Sequence, residues 1–161
     1  MAHGAERLGE TVSDAAHSGG CQCGAVRYSI RAEQLTPYAC HCSECQKQSA
    51  SAFGLSVPVF GNALEVKGEL SSWRRPTGSG SYTDCHFCPK CGTRVYHAGA
   101  NRPGMVTIKG GSLDDASELR PVAHIWTRSR QNWVILSDDV PHWETQPGTP
   151  VEWMQMLNGT K

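Results

Sequence analysis

This sequence predicts an all-β domain, and three observations carry the prediction. Apolar and polar residues alternate with a period of two over short stretches. Turn signals separate these stretches every roughly eight to twelve residues. Glycine is abundant, with 17 residues, which favours turns and short strands over long helices.

Taken in order, Met1–Ser18 is small, polar and mixed, the composition of a flexible tail. Gly19-Gly20 opens the domain, and Cys21-Gln22-Cys23-Gly24 forms a tight knuckle leading into a strand. Val26, Tyr28 and Ile30 alternate with Ala25, Arg27 and Ser29, so that strand has one buried face. Ser43 to Ala50 predicts a short helix, with Ser43 as N-cap and Gln46 three residues on in a capping-box pattern. Cys45 then falls in the first turn, where the positive end of the helix dipole favours a thiolate. Phe53, Leu55, Val57 and Val59 alternate as a second strand.

Further strands are expected at Leu64–Val66, Leu70–Arg74, Tyr82–Phe87, Arg94–His97, Met105–Lys109 and Val122–Thr127. The turns between them are Gly61-Asn62, Pro76–Gly80, Arg102-Pro103-Gly104 and Gly110-Gly111. Ser112–Asp115 reads as a capped single turn of helix. Trp133–Leu136 reads as an edge strand or a core-packing run, and Val151–Leu157 as a short terminal helix. The expected organisation is a tail over 1–18, one domain over 19–147 and a peripheral segment over 148–161. There is no internal repeat.

The composition excludes some functions. The 161-residue chain carries 15 basic and 15 acidic residues, so no sequence-wide field draws it to nucleic acid or to an anionic membrane. Met1–Ser18 lacks the apolar core of a signal peptide, and the longest apolar run, Trp133–Leu136, is too short to span a bilayer. The expectation is a soluble cytoplasmic protein with no nucleic-acid or membrane partner. Thiols stay reduced in that compartment, so the clustered cysteines among its eight read as metal ligands or catalytic groups and not as a disulfide framework.

Seven of the eight cysteines are clustered: Cys21-x-Cys23, Cys40-x-Cys42-x-x-Cys45 and Cys88-x-x-Cys91. Thiolates this close suit zinc, because Zn–S bonds are about 2.3 Å and a tetrahedral ion needs its sulfurs gathered at one point. Cys88-Pro89-Lys90-Cys91-Gly92 is the knuckle of zinc ribbons and needs a partner pair. Cys21/Cys23 and two members of the central cluster both qualify on spacing. Seven ligands divide as four plus three: a closed structural site and a site with one position open for chemistry. The competing division gives two closed sites, with Cys85 or a histidine as eighth ligand.

Strand alternation turns His41 away from Cys40 and Cys42, and makes Cys85 a buried, inert thiol. Trp126, Trp133 and Trp143 are expected in the core. Arg74 and Arg75 read as a solvated hairpin end.

The motifs Gly19–Tyr28, Cys40-His41-Cys42-Ser43-x-Cys45-Gln46 and Phe87-Cys88-x-x-Cys91-Gly92-Thr93 resemble the glutathione-dependent formaldehyde-activating (GFA, or CENP-V/GFA) family. His124–Gln131 resembles a later block of the same family. The resemblance runs in order from about Gly19 to Pro147. Ala50 departs from it, since many relatives carry glycine there, and Cys85 lies outside the pattern.

The resemblance implies a compact zinc-binding, Mss-like β fold with two zinc ions. Cys21, Cys23, Cys88 and Cys91 would hold a structural zinc. Cys40, Cys42 and Cys45 would be the ligands of a catalytic one. It also implies a carbon–sulfur lyase of the S-(hydroxymethyl)glutathione synthase type, joining a small-molecule thiol and an aldehyde with glutathione as co-substrate. The alternative is a non-catalytic zinc module that binds glutathione or a protein partner. Arg74, Arg75, Arg128 and Arg130 are candidates for the carboxylates of glutathione.

Overall fold

The computed structural model describes residues 16–159, and residues 1–15 of the tail expected over 1–18 lie outside them. The chain forms ten strands and two short helices in the order β1 (Ala16–Gly20), β2 (Arg27–Arg31), β3 (Tyr38–Cys40), α1 (Ser43–Ser49), β4 (Gly54–Phe60), β5 (Leu64–Lys67), β6 (Ser71–Pro76), β7 (Tyr82–Phe87), β8 (Arg94–Gly99), β9 (Met105–Lys109), β10 (His124–Ile125) and α2 (Pro150–Leu157). The expected all-β class is the one observed. Ala16–Ser18 open β1 and do not form a tail, pairing with Arg31, Ile30 and Ser29.

Two sheets result. One has the order β1-β2-β5, the other β10-β3-β4-β9-β8-β7-β6. Every pairing is antiparallel except β10 with β3. The main core lies between the sheets. Val26, Tyr28 and Ile30 face Val57, Val59, Val95 and Ile108, all buried. Burying each such side chain stabilises by about 1.5–3 kcal/mol. Pro58 sits within β4 but beyond the reach of β3, which pairs only with Gly54–Ser56. One edge of β4 is therefore free there, and an edge is where a sheet tolerates proline.

A second apolar cluster forms on the opposite face of the larger sheet. It gathers Tyr38, Cys40, Ala123, Ile125 and Met156, with Trp126, Trp143 and Trp153 packed against it. Helix α2 closes this cluster. Thr149 and Glu152 form a full capping box, and Trp153 meets Tyr38 edge-on at 5.6 Å. The C-terminal segment thus packs over the residues around Cys40.

Four local expectations change. The N-cap of α1 is Cys42, not Ser43: its Sγ accepts from the N–H of Cys45. The helical turn expected over Ser112–Asp115 lies two residues upstream, as a 3-10 turn at Gly110–Ser112, and Asp114 instead pairs with Arg27, whose hydrogen bond holds its carboxyl down to about 2. The strand expected over Val122–Thr127 shrinks to His124–Ile125, because Trp126 takes the left-handed conformation, φ 59°. Trp133–Leu136 is not a strand. A turn bond from Val134 N–H to Gln131 C=O rotates successive side chains apart, burying Val134 and leaving Trp133 71% and Ile135 92% exposed. Trp133 is therefore not a core residue. Among the described residues no helix is long and apolar enough to cross a membrane.

Candidate metal centres

The first centre is built from two knuckles. Cys21–Gly24 closes with Gly24 N–H donating to Cys21 C=O at 3.0 Å, and Cys88–Gly92 closes with Gly92 N–H donating to Cys88 C=O at 2.9 Å. Each turn ends on a glycine at positive φ, 78° at Gly24 and 74° at Gly92, where a side chain would be strained. Strand β7 delivers Cys88 to the knuckle that precedes β2.

The four sulfurs of Cys21, Cys23, Cys88 and Cys91 lie within 4.8 Å of one another. Sγ of Cys23 is 3.5 Å from that of Cys21 and 3.8 Å from that of Cys88. Tetrahedral ligands about 2.3 Å from one ion stand about 3.8 Å apart, so this set fits zinc. The Val26 N–H donates to Cys21 Sγ at 3.1 Å. Thr93, by its hydroxyl and its backbone, holds the Cys91 thiol down to about 5. Of the two partner pairs that spacing allowed for Cys88/Cys91, the fold brings up Cys21/Cys23.

The second centre lies at the other apolar cluster. Cys40 ends β3, Cys42 caps α1 and Cys45 stands in its first turn. Their sulfurs lie within 4.8 Å of one another, with Cys40 and Cys42 at 3.5 Å, and this set too could hold zinc. Hydrogen bonds from Cys40, then Cys45, hold the Cys42 thiol low, while its bond to Cys42 raises Cys40. Helix N–H groups face the capping sulfur of Cys42.

No fourth side chain joins this trio among the described residues. His41 is fully buried and turned elsewhere: its Nε2 meets His124 Nδ1 at 2.9 Å. Cys85 is also fully buried and outside both clusters.

Sequence reasoning missed the residues that hold the Cys40–Cys45 loop in shape. The His41 carbonyl accepts from Gln46 Nε2 at 2.7 Å and from the Ser129 hydroxyl at 3.0 Å. Gln131 Nε2 in turn donates to Gln46 Oε1 at 3.3 Å. His124, Ser129 and Gln131 thus clamp the thiol loop from one later segment. The only advance signal was that all three stand in the block that resembles the family.

The candidate arginines separate. Arg74 is bidentate to Asp84, at 2.7 and 2.8 Å, and lies over Tyr82. Arg128 lies over Trp126 at 4.9 Å, and Arg130 donates to the Val134 carbonyl. Arg75 turns inward, its side chain only 19% exposed.

Comparison with known proteins agrees with this arrangement. The family model described as glutathione-dependent formaldehyde-activating enzyme matches residues 16–129. A Halomonas elongata protein named "Putative glutathione-dependent formaldehyde-activating enzyme" is 28% identical over 123 residues, covering 72% of this chain and 78% of the other. A crystal structure of a Rhodobacter sphaeroides protein superposes with a TM-score of 0.51 at 19% identity, covering 78% of this chain and 99% of that one, which shows a shared fold. With the family model spanning both knuckles, the thiol loop and most of its clamp, the chain belongs to the glutathione-dependent formaldehyde-activating (GFA) family.

Proposed function

We propose that this protein is a zinc-dependent carbon–sulfur lyase that forms or cleaves a thiol–aldehyde adduct such as S-hydroxymethylglutathione, acting on small molecules in the cytoplasm. One observation carries the reading: three sulfurs converge without a fourth side chain among the described residues, while the histidine between them is engaged elsewhere. In this reading Cys21, Cys23, Cys88 and Cys91 hold a structural zinc. Cys40, Cys42 and Cys45 hold a second zinc with a coordination position left for substrate.

A zinc ion there would supply charge stabilisation for an incoming thiolate or polarise an aldehyde oxygen. Three thiolate ligands favour the first role, because their charge weakens Lewis acidity. In the forward direction the thiol sulfur forms a bond to the aldehyde carbon. The C=O π pair moves to oxygen, and the proton lost by the thiol ends there.

The chain's own residues set the stage for this step. Gln46 and Ser129 fix the His41 carbonyl, and with it the spacing of Cys40 and Cys42. Trp126, Trp143 and Trp153 wall the cluster with apolar surface and limit water around the sulfurs.

Cys42→Ser tests the reading. Serine is a preferred N-cap, so α1 survives and stability changes by less than about 1 kcal/mol. Condensation of glutathione with formaldehyde, followed by NMR, should fall to the uncatalysed rate. Wild-type turnover in this variant refutes the three-cysteine centre as the seat of the chemistry, and no turnover in zinc-loaded wild type refutes the enzyme and leaves a binding module.

A further inference from the structure

The face of the larger sheet that carries Cys40 also carries a group of cations. Register places Arg75 opposite Thr83, Cys85 opposite His97, His97 opposite Thr107, and Lys109 opposite Ser56, the partner of Tyr38. A register shift at His86/Phe87 resets the alternation on β8. Arg94 then reaches α1, its Nη2 donating to Gln48 Oε1 at 3.3 Å. Gln48 lies one turn beyond Cys45, and its Nε2 donates to Cys85 Sγ at 3.8 Å. Residues Glu44, Cys45 and Gln48 of α1 therefore look onto Arg75, Arg94, His97 and Lys109.

These cations are poorly satisfied. Arg75 Nε and Arg94 Nε are both shut off from solvent without a hydrogen-bond partner. The carboxylate nearest Arg75 is Glu44, at 4.0 Å. A direct charge-assisted bond would be about 2.7–2.9 Å. Burial, and then the positive charges of Lys109, Arg102, Arg75 and Arg94, push His97 well below the usual histidine range, so it adds no charge of its own, and Lys109 lies within the electrostatic reach of Cys45 and Cys40. Buried cations with orphaned N–H groups are costly unless an anion joins them. In a chain of zero net charge this concentration is local.

We propose that Arg75, Arg94 and Lys109 form a carboxylate-binding subsite beside the three-cysteine centre, which makes an acidic thiol the preferred substrate. Gln48 and Glu44 act as placeholders that an incoming carboxylate displaces. The subsite rests on the reading of Cys40, Cys42 and Cys45 as the thiol centre only for what its ligand does next. Its own ligand is the carboxylate.

The test uses the zinc-loaded full chain, with binding read by calorimetry and thermal midpoint. Three probes separate the contributions: glutathione, its diethyl ester, which keeps the thiol and masks the carboxylates, and S-methylglutathione, which does the reverse. The ester should bind more weakly than glutathione by about tenfold to a hundredfold, the usual loss for a hydrogen bond to a charged group. S-Methylglutathione should raise the midpoint of wild type but not of Lys109→Met or Arg75→Gln. Arg74→Gln, on the solvent side, should behave as wild type.

Lys109→Met removes a charge from a half-buried position and keeps the chain length, and Arg75→Gln lies on the edge strand β6, so the fold tolerates both. Equal binding of glutathione and its ester overturns the subsite and spares the thiol centre. Binding of S-methylglutathione with no added contribution from the free thiol does the opposite. Inorganic phosphate matching S-methylglutathione in midpoint shift overturns the carboxylate assignment in favour of a general oxyanion site.

Discussion

Thr93 shows how one residue joins two distant pieces of chain. Its hydroxyl accepts from Gln22 N–H at 3.1 Å and stands 3.2 Å from Cys91 Sγ, and its carbonyl accepts from Cys88 N–H at 3.0 Å. Partners of metal ligands orient them, and their loss costs about tenfold to a hundredfold in metal affinity. Thr93→Val should therefore weaken zinc at the four-sulfur site by about that factor, measured by competition with a chromogenic chelator. An unchanged affinity would show that the hydroxyl merely fills space. The cysteines themselves were legible in the sequence, because ligand chemistry restricts both their type and their spacing. Thr93, Gln46 and Ser129 were not. They act through backbone carbonyls and a neighbouring sulfur, and the Ser129–His41 bond spans 88 residues. The turning of His41 away from the thiols was legible, since alternation alone demands it.

At the scale of elements, most strands followed from alternation and turn residues; β7 and β9 match their expected limits. The failures have local causes. Sulfur can cap a helix, which ordinary capping preferences do not anticipate, so α1 starts from Cys42 and not from Ser43. Nothing in the composition of Trp126 announces a left-handed backbone that ends β10. Ala50 is the informative departure. It closes α1 at φ 48° and ψ 40°, with its N–H bonded to the Gln46 and Lys47 carbonyls. An L-residue pays roughly 1–2 kcal/mol there and glycine does not, though glycine loses more freedom on folding. Ala50→Gly should thus stabilise the protein by about 0.5–1 kcal/mol, read as a rise in the urea midpoint. A fall would show that the alanine methyl is packed well enough to outweigh its strain.

At the scale of the molecule, the larger sheet separates two cores with a cysteine cluster in each. Cys21 and Cys88 belong to the core between the sheets, and Cys40 to the core beneath α2. The division of seven thiols into four and three was legible from counting, but which pairs meet was not, because it depends on β7 carrying Cys88 alongside the start of β2. Metal removal should follow this division. A chelator should take one zinc per chain first, from the three-sulfur site, with the far-ultraviolet circular dichroism unchanged. Loss of the second should coincide with loss of the β signal, since four ligands, two of them (Cys21 and Cys88) buried in the main core, make metal binding part of folding. Simultaneous release of both ions, with no folded one-zinc species, would overturn the separation.

The contact between Cys23 and Cys88 spans 65 residues, and Cys40, Cys42 and Cys45 all lie inside that interval. The three-cysteine loop is thus nested within a ring of polypeptide whose clasp is the other cysteine cluster. An oxidant that springs the clasp would loosen the ring around the inner trio without touching it, so the trio's exposure to redox stress depends on sulfurs it does not contain.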